Sequence, residues 1–231
     1  MTDFTFAHRD EGFDNHIDMS IRGYNHLHDD IVSLSRYFVE NDTCVVDIGC
    51  STGKTIAAMA AQNHEFAPKA NYIGVEVADG FKDDMDNRRI ELEMKYPETR
   101  FDFEFMDIRE YDFYNCSLVT SLFTLQFMPI KDRQDTLDRI YDGLNVGGAF
   151  LFAEKILAND AKSQDMLTFT FYDYKRRSFS EADIMQKEVT IRNMLKPNRW
   201  FEIEEMLFSA GFRSIQPFWQ NFLFVGAVAL K

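Results

Sequence analysis

Residues 44–54, CVVDIGCSTGK, constrain the fold more than any other stretch of the chain. Four of the first five residues are apolar and β-prone, so they read as a short buried strand that ends near Asp47. A turn containing Gly49 and Gly53 comes next, and a helix is expected from about Lys54. A strand that empties into a glycine turn at a helix N-terminus presents bare N–H groups and the positive end of a helix dipole. Such a place holds a nucleotide-like cofactor, and the residues downstream of it decide which one.

Strand and helix patterns alternate after it. A helix is predicted over residues 55–66, then a strand over residues 72–77 (YIGVEV) with Glu76 at its end. Asp79 is placed to cap a helix that Pro97 stops. Further strands are predicted at residues 101–105 and 117–122, a helix at 132–144, and a fifth strand in AFLFAEK after Gly147-Gly148. This alternation predicts an α/β fold, a Rossmann-like sheet wound on both faces. Residues 160–195 read as helices only. A helix over residues 201–210 and two β-rich runs close the chain, and that terminal hairpin is expected to put an antiparallel strand at the sheet edge. Ahead of the first strand, apolar positions at Leu27, Ile31, Leu34 and Phe38 predict a helix over residues 25–39. The first 20 or so residues are polar without a period and are expected to be irregular.

With 231 residues and no Pro/Gly/Ser-rich linker, the chain reads as one domain. Its expected parts are an N-terminal segment and helix over residues 1–40 and a helical insertion over residues 158–197 that covers the active site. No apolar run approaches the length of a membrane span, and the N-terminus has no basic and apolar leader pattern. Three cysteines without CxxC spacing fit a reducing compartment, so a cytoplasmic protein is expected. A net charge of −13 opposes contact with phosphate backbones, which favours a small-molecule substrate over nucleic acid.

Three cofactors compete for the glycine turn. GCSTGKT contains a Gly-Lys-Thr, but a phosphate loop needs four residues between its glycines and only three separate Gly49 from Gly53. A dinucleotide turn needs Gly-x-Gly, which is absent. The third pattern, Asp47-x-Gly49-x-x-x-Gly53 with an acid ending the second strand, resembles motif I of the class I S-adenosylmethionine-dependent methyltransferases. The resemblance implies that the turn accepts the methionine part of S-adenosyl-L-methionine and that Glu76 takes the ribose hydroxyls. It also implies that Asp107 and Ile108 flank the adenine.

A closer resemblance extends over most of the chain. RGY at residues 22–24, VVDIGCSTG, FTLQFMP at 123–129, RIYDGLNVGGAFLFAEK at 139–155, DYKR from Asp173, FSEADIMQK at 179–187, AGF from Ala210 and the terminal FWQNFLFVGAVALK are similar to the bacterial carboxy-S-adenosylmethionine synthases. That family implies a seven-stranded sheet and a homodimer. It also implies a cofactor site of Tyr24, Gly49, Cys50, Ser51, Glu76, Val77, Asp107 and Ile108. Its members carboxylate the cofactor methyl group with carbon dioxide derived from prephenate, and the product serves tRNA wobble-uridine modification.

Glu76 in place of the family's usual aspartate is a mild departure from its pattern, and two further residues depart more sharply. The family has an arginine directly after its Gln-Lys, facing the new carboxylate, where this chain has Glu188; it has asparagine before FTLQF, lining the cofactor pocket, where this chain has Leu122. A carboxylate in place of a guanidinium inverts the local charge, and leucine neither donates nor accepts a hydrogen bond. Arg192, one turn on, and Lys187 are the candidate replacements. The leading expectation is therefore methyl transfer from S-adenosylmethionine to an unidentified small acceptor, with Tyr24, Tyr172, Tyr174, Glu188 and Arg192 on the acceptor side. Carboxy-S-adenosylmethionine synthesis and non-catalytic cofactor binding are the alternatives. Three further clusters carry weaker signals: His26, His28, Asp29 and Asp30 as weak metal ligands, Cys50 as a turn thiol in contact with the cofactor, and the aromatic run at residues 169–174 as core or a pocket lid.

Overall fold

Strand β1 (Cys44–Ile48) is buried at every position, as a central strand of a sheet covered on both faces must be. The computed structural model describes residues 12–231. β1 pairs in parallel with β2 (Asn71–Glu76) on one side and with β4 (Cys116–Leu122) on the other. β3 (Arg100–Phe105) adds to β2, and the long β5 (Leu144–Leu157) adds to β4, both in parallel. A two-residue strand, β6 (Asn198–Arg199), pairs with the end of β5. β8 (Phe224–Leu230) runs antiparallel to β5, and β7 (Ser214–Asn221) runs antiparallel to β8. The main path is β3-β2-β1-β4-β5-β8-β7, the expected seven strands, with β6 beside it.

The hairpin closes one edge of the sheet as expected, but its two strands exchange places. The antiparallel strand is β8, which lies inside the sheet, while the edge strand β7 again runs in the direction of β5. Burial explains the exchange. FVGAVAL in β8 is buried on nearly all positions and needs neighbours on both sides, whereas SIQPFWQN in β7 is half exposed and carries Pro217, which an edge tolerates.

Alternate side chains of each strand feed two separate cores. On one face Val45 and Tyr72 meet Leu27 and Ile31 of α2 (Tyr24–Ser35), Ile56 and Met59 of α3 (Lys54–Asn63), and Met85 and Leu92 of α4 (Lys82–Lys95). On the other face Val46, Ile48 and Phe150 meet Leu137 and Ile140 of α5 (Ile130–Gly143), and Ile203 and Leu207 of α8 (Trp200–Ala210). Asp79 does not cap α4: a 3-10 turn over Asp79–Phe81 leads in, and the position before the helix is Phe81.

A further helix, α1 (Phe13–Ser20), occupies the stretch expected to be irregular; the rest of that stretch, residues 1–11, lies outside the described residues. Its most buried residues are the polar His16 and Ser20, set among half-buried Phe13, which packs on Phe81, and Ile17, so its inner face is mixed and shows no clean apolar period. The helices of residues 160–195 are α6 (Ala161–Lys175), capped by Asp160, and α7 (Glu181–Ile191), capped by Ser180. Among the described residues no helix is long and apolar enough to cross a membrane.

Candidate active site

The C-terminal ends of the parallel strands open into one cavity of about 600 Å³, a volume suited to a cofactor with a small reactant. It lies where the strand order reverses between β1 and β4, the crevice in which open α/β sheets bind ligands.

The glycine turn forms its floor. Gly49 has φ 68°, and a Cβ there would stand 2.2 Å from Thr124 Oγ1, so both the backbone and the close approach of the β4 end require glycine. Thr124 fixes that approach by donating its hydroxyl to the Ile48 carbonyl at 3.1 Å. Ser51 lines the cavity, and its N–H donates to Glu76 Oε2 at 3.0 Å. Glu76 Oε1 accepts the Val77 and Ala78 N–H groups, each at 2.8 Å. Burial pushes the Glu76 pKa up, against these three backbone donors. A carboxylate has about four acceptor sites. Three are filled by backbone donors, which leaves acceptor capacity on Oε2 for a ribose hydroxyl.

Asp107 and Ile108 continue the wall at the end of β3. The Arg109 guanidinium grips the Asp107 carboxylate, with Nη2 to Oδ2 at 2.6 Å, and reaches Asp132 at 2.9 Å. That side-chain pairing holds the Asp107 pKa below its ordinary value. Phe81, Met106, Phe127 and Met128 line the same side and give a flat ring an apolar slot. Leu122, Phe123 and Thr124 close the wall at the end of β4.

Of the residues expected in the site, Gly49, Ser51, Glu76, Val77, Asp107, Ile108, Leu122 and Glu188 line the cavity. The others stand behind the wall or away from it. Asp47 is buried beneath the turn, accepts the Thr120 hydroxyl at 2.6 Å, and is pushed up to about 7 by burial, with the Glu76 charge adding to it. Gly53, φ 72°, brings the start of α3 against Phe103. Tyr24 is buried between Phe123 and His28, with the Lys54 ammonium 5.3 Å from its ring centre. Cys50 turns into the core, its Sγ 3.6 Å from Met85 Sδ, and burial raises the thiol well above its ordinary range. Tyr174 donates to the Asp18 carbonyl at 3.2 Å, which ties α6 to α1. Arg192 sits exposed in the last turn after α7. His26 is exposed and His28 buried, on opposite sides of α2, and no metal-holding group of three His, Cys, Asp or Glu side chains occurs among the described residues.

The far end of the cavity carries Lys187, one of the two candidate replacements for the arginine, and further groups that the sequence does not single out as site residues. His16 and Ser20 come from α1, Lys155 from the end of β5, and Lys175 and Lys187 from α6 and α7. Lys187 Nζ lies 2.6 Å from His16 Nε2, so α1 and α7 meet over the opening. The only sequence signal for Lys155 is its place at a strand end; for His16 there is none.

This sheet order, glycine turn and row of strand-end acids define the class I S-adenosylmethionine-dependent methyltransferase fold. Solved structures agree: the chain is similar to an O-methyltransferase family protein from Burkholderia thailandensis (TM-score 0.64, 13% identity, 98% of this chain and 61% of that one). It is also similar to human N-acetylserotonin methyltransferase in complex with S-adenosylmethionine (TM-score 0.56, 17% identity, 88% and 51%). A family model described as a methyltransferase domain matches residues 46–150. Among curated proteins, the carboxy-S-adenosyl-L-methionine synthase of Staphylococcus epidermidis is 31% identical over 226 residues, 95% of this chain and 92% of the relative. That of a Shewanella baltica strain is 33% identical over 233 residues, 100% and 94%. The chain belongs to the carboxy-S-adenosyl-L-methionine synthase family, and it is an S-adenosylmethionine-dependent transferase. The open acceptor site on Glu76 and the apolar slot beside Ile108 fit the ribose and adenine of that cofactor.

Proposed function

We propose that the chain makes carboxy-S-adenosylmethionine, carboxylating the cofactor methyl group with carbon dioxide drawn from prephenate. One observation carries this reading: among the described residues, the reactant end of the cavity holds Lys155, Lys175 and Lys187 against a single acid, Glu188. Cations from three other positions can thus stand in for the missing arginine toward a carboxylated reactant. The turn and Glu76 hold the nucleoside. The lysine-bearing end receives the acid. Weighing the nucleoside released on denaturation tests this: a species heavier than S-adenosylmethionine by one carbon dioxide is expected, and no such species even after incubation with prephenate overturns it.

Methyl transfer to a small acceptor is the second reading, and Leu122 and Glu188 favour it. An apolar residue and a carboxylate suit a neutral or cationic acceptor better than an anionic one. A methylated acceptor alongside S-adenosylhomocysteine would establish it. Under either reading we place the enzyme in the cytoplasm as a homodimer acting on a small molecule. Supporting this are a net charge of −13, which repels nucleic acid and anionic membranes, and three cysteines that are all buried thiols. Light scattering of the purified protein checks the dimer.

A further inference from the structure

Lys155 is a half-buried cation held against aromatic rings, in a place where a cation needs an anion. It lies two residues before the end of β5 on the cavity wall, and its backbone N–H is accepted by Gln126 Oε1 at 2.7 Å, so the backbone there is held in place. Its ammonium stands over the faces of Phe171 and Phe224, 5.8 and 6.0 Å from the ring centres. Among the described residues no hydrogen bond or ion pair reaches it. Neighbouring cations are differently placed: Lys187 meets His16, and Lys175 lies over the Phe171 ring at 5.4 Å.

Two aromatic faces return less than the desolvation of an ammonium costs. That cost appears as a Lys155 pKa lowered by burial, with Glu188 acting in the opposite sense. Glu188 is the acid that faces it from α7, yet the two are not ion-paired. The Glu188 carboxylate instead lies beside Tyr172, whose hydroxyl pKa is raised by burial and then by that charge. Lys155 and Glu188 therefore face one cavity without pairing, the Lys155 ammonium against ring faces and the Glu188 carboxylate on the Tyr172 hydroxyl.

We propose that Lys155 is the residue that binds the carboxylate of the reacting species, and that Glu188 is a weak internal competitor for it. This rests on the carboxylation reading above. A carboxylate between Lys155 and the β4 end would receive a charge-assisted hydrogen bond in a site walled by Phe171 and Phe224, where such a bond is strong. Glu188 repels the same carboxylate. The arrangement thus selects for anions through β5, and α7, where the family carries its arginine, sets how tightly they are held.

The test is calorimetric titration of the full chain with S-adenosylmethionine and with carboxy-S-adenosylmethionine, for the wild type, Lys155→Met, Lys155→Arg and Glu188→Gln. The wild type should prefer the carboxylated nucleoside. Lys155→Met should lose at least about tenfold of that preference with S-adenosylmethionine affinity changed less than about threefold, because the nucleoside contacts lie at the other strand ends. Lys155→Arg should keep most of the preference, and Glu188→Gln should increase it. Methionine fills the same space against the two phenyl rings, so thermal melting of Lys155→Met should be no lower than wild type. An unchanged preference in Lys155→Met, or no preference in the wild type, overturns the assignment. If prephenate-dependent carboxylation persists in that case, the assignment alone has failed. If the preference falls as expected but prephenate yields no carboxylated product, the reaction assignment has failed and the anion site stands.

Discussion

Arg133→Met should destabilise the protein by about 3 kcal/mol and loosen one wall of the cavity without touching it. Arg133 is 3% exposed and donates to the carbonyls of Gln126 at 3.1 Å, Met128 at 2.9 Å and Lys196 at 2.6 Å, and to Asn198 Oδ1. The Gln126 carbonyl also accepts the Lys196 N–H at 2.9 Å and keeps that partner; the Met128 and Lys196 carbonyls lose the one shown. Each orphaned carbonyl costs about 1–3 kcal/mol, which gives roughly 2–6 kcal/mol. The low half of that range applies. Glu154, fully buried nearby, is pushed up to about 8 by burial even with Arg133 opposing, so at pH 7 it mostly carries its proton. Losing the guanidinium therefore strands little charge. Urea denaturation gives the free energy. Hydrogen exchange should show faster turnover at Lys196 and at Leu125 and Gln126, whose N–H groups rest on Glu154 at 3.0 and 2.8 Å. Arg133→Lys should fall between, since an ammonium lacks the reach of the fork. A loss below about 1 kcal/mol, or unchanged exchange at Lys196, refutes this account of the clamp.

Asp47→Asn should flatten the pH dependence of stability. Its folded pKa of about 7 lies above the ordinary 3.8, so the folded state holds the proton more tightly and the contribution, full below pH 4, is lost as pH rises to 7. The wild type should lose on the order of 2–4 kcal/mol across that window, read as urea midpoints at pH 5 and 7.5, and parallel curves for the two proteins would exclude it. Gly49→Ala should cost about 2–4 kcal/mol or abolish cofactor binding, because its Cβ would clash with Thr124 at 2.2 Å as well as strain φ. Gly147→Ala, φ 86° with nothing within 4 Å, should cost only about 1 kcal/mol in the same thermal melts; equal losses would show that Thr124 simply moves aside. Glu188→Arg should raise prephenate-dependent carboxylation, followed by product mass, and no gain would mean that the lysines already supply what the arginine provides.

The half of the site built on local pattern is legible in the sequence, and the half built on orientation is not. A strand, a glycine turn and an acid at the next strand end are set by neighbouring residues, so Gly49, Ser51, Glu76 and Asp107 fall where the pattern puts them. Cys50 shows the limit. Its place in the turn is as expected, but its direction is set by Gly74 on the adjacent strand, where a Cβ would stand 2.7 Å from Cys50 Sγ. The space left by that glycine lets the thiol enter the core, and no spacing within residues 44–54 records it. Arg192 fails for a similar reason. It is one turn from Glu188 and its backbone is still helical, its N–H on the Glu188 carbonyl at 3.1 Å, but it is exposed while its neighbour Ile191 lines the cavity. Lys155 is the converse case. In the sequence it is only the polar end of an apolar strand; the sheet order sets β5 beside β4, and the α6–α7 insertion brings Phe171 and Glu188 around it. Under the proposed assignment, the charge inverted at residue 188 is answered from a residue 33 positions earlier, on a different element. Under the proposed reaction, a group missing from one position is made good because the cavity draws the same charge from another wall.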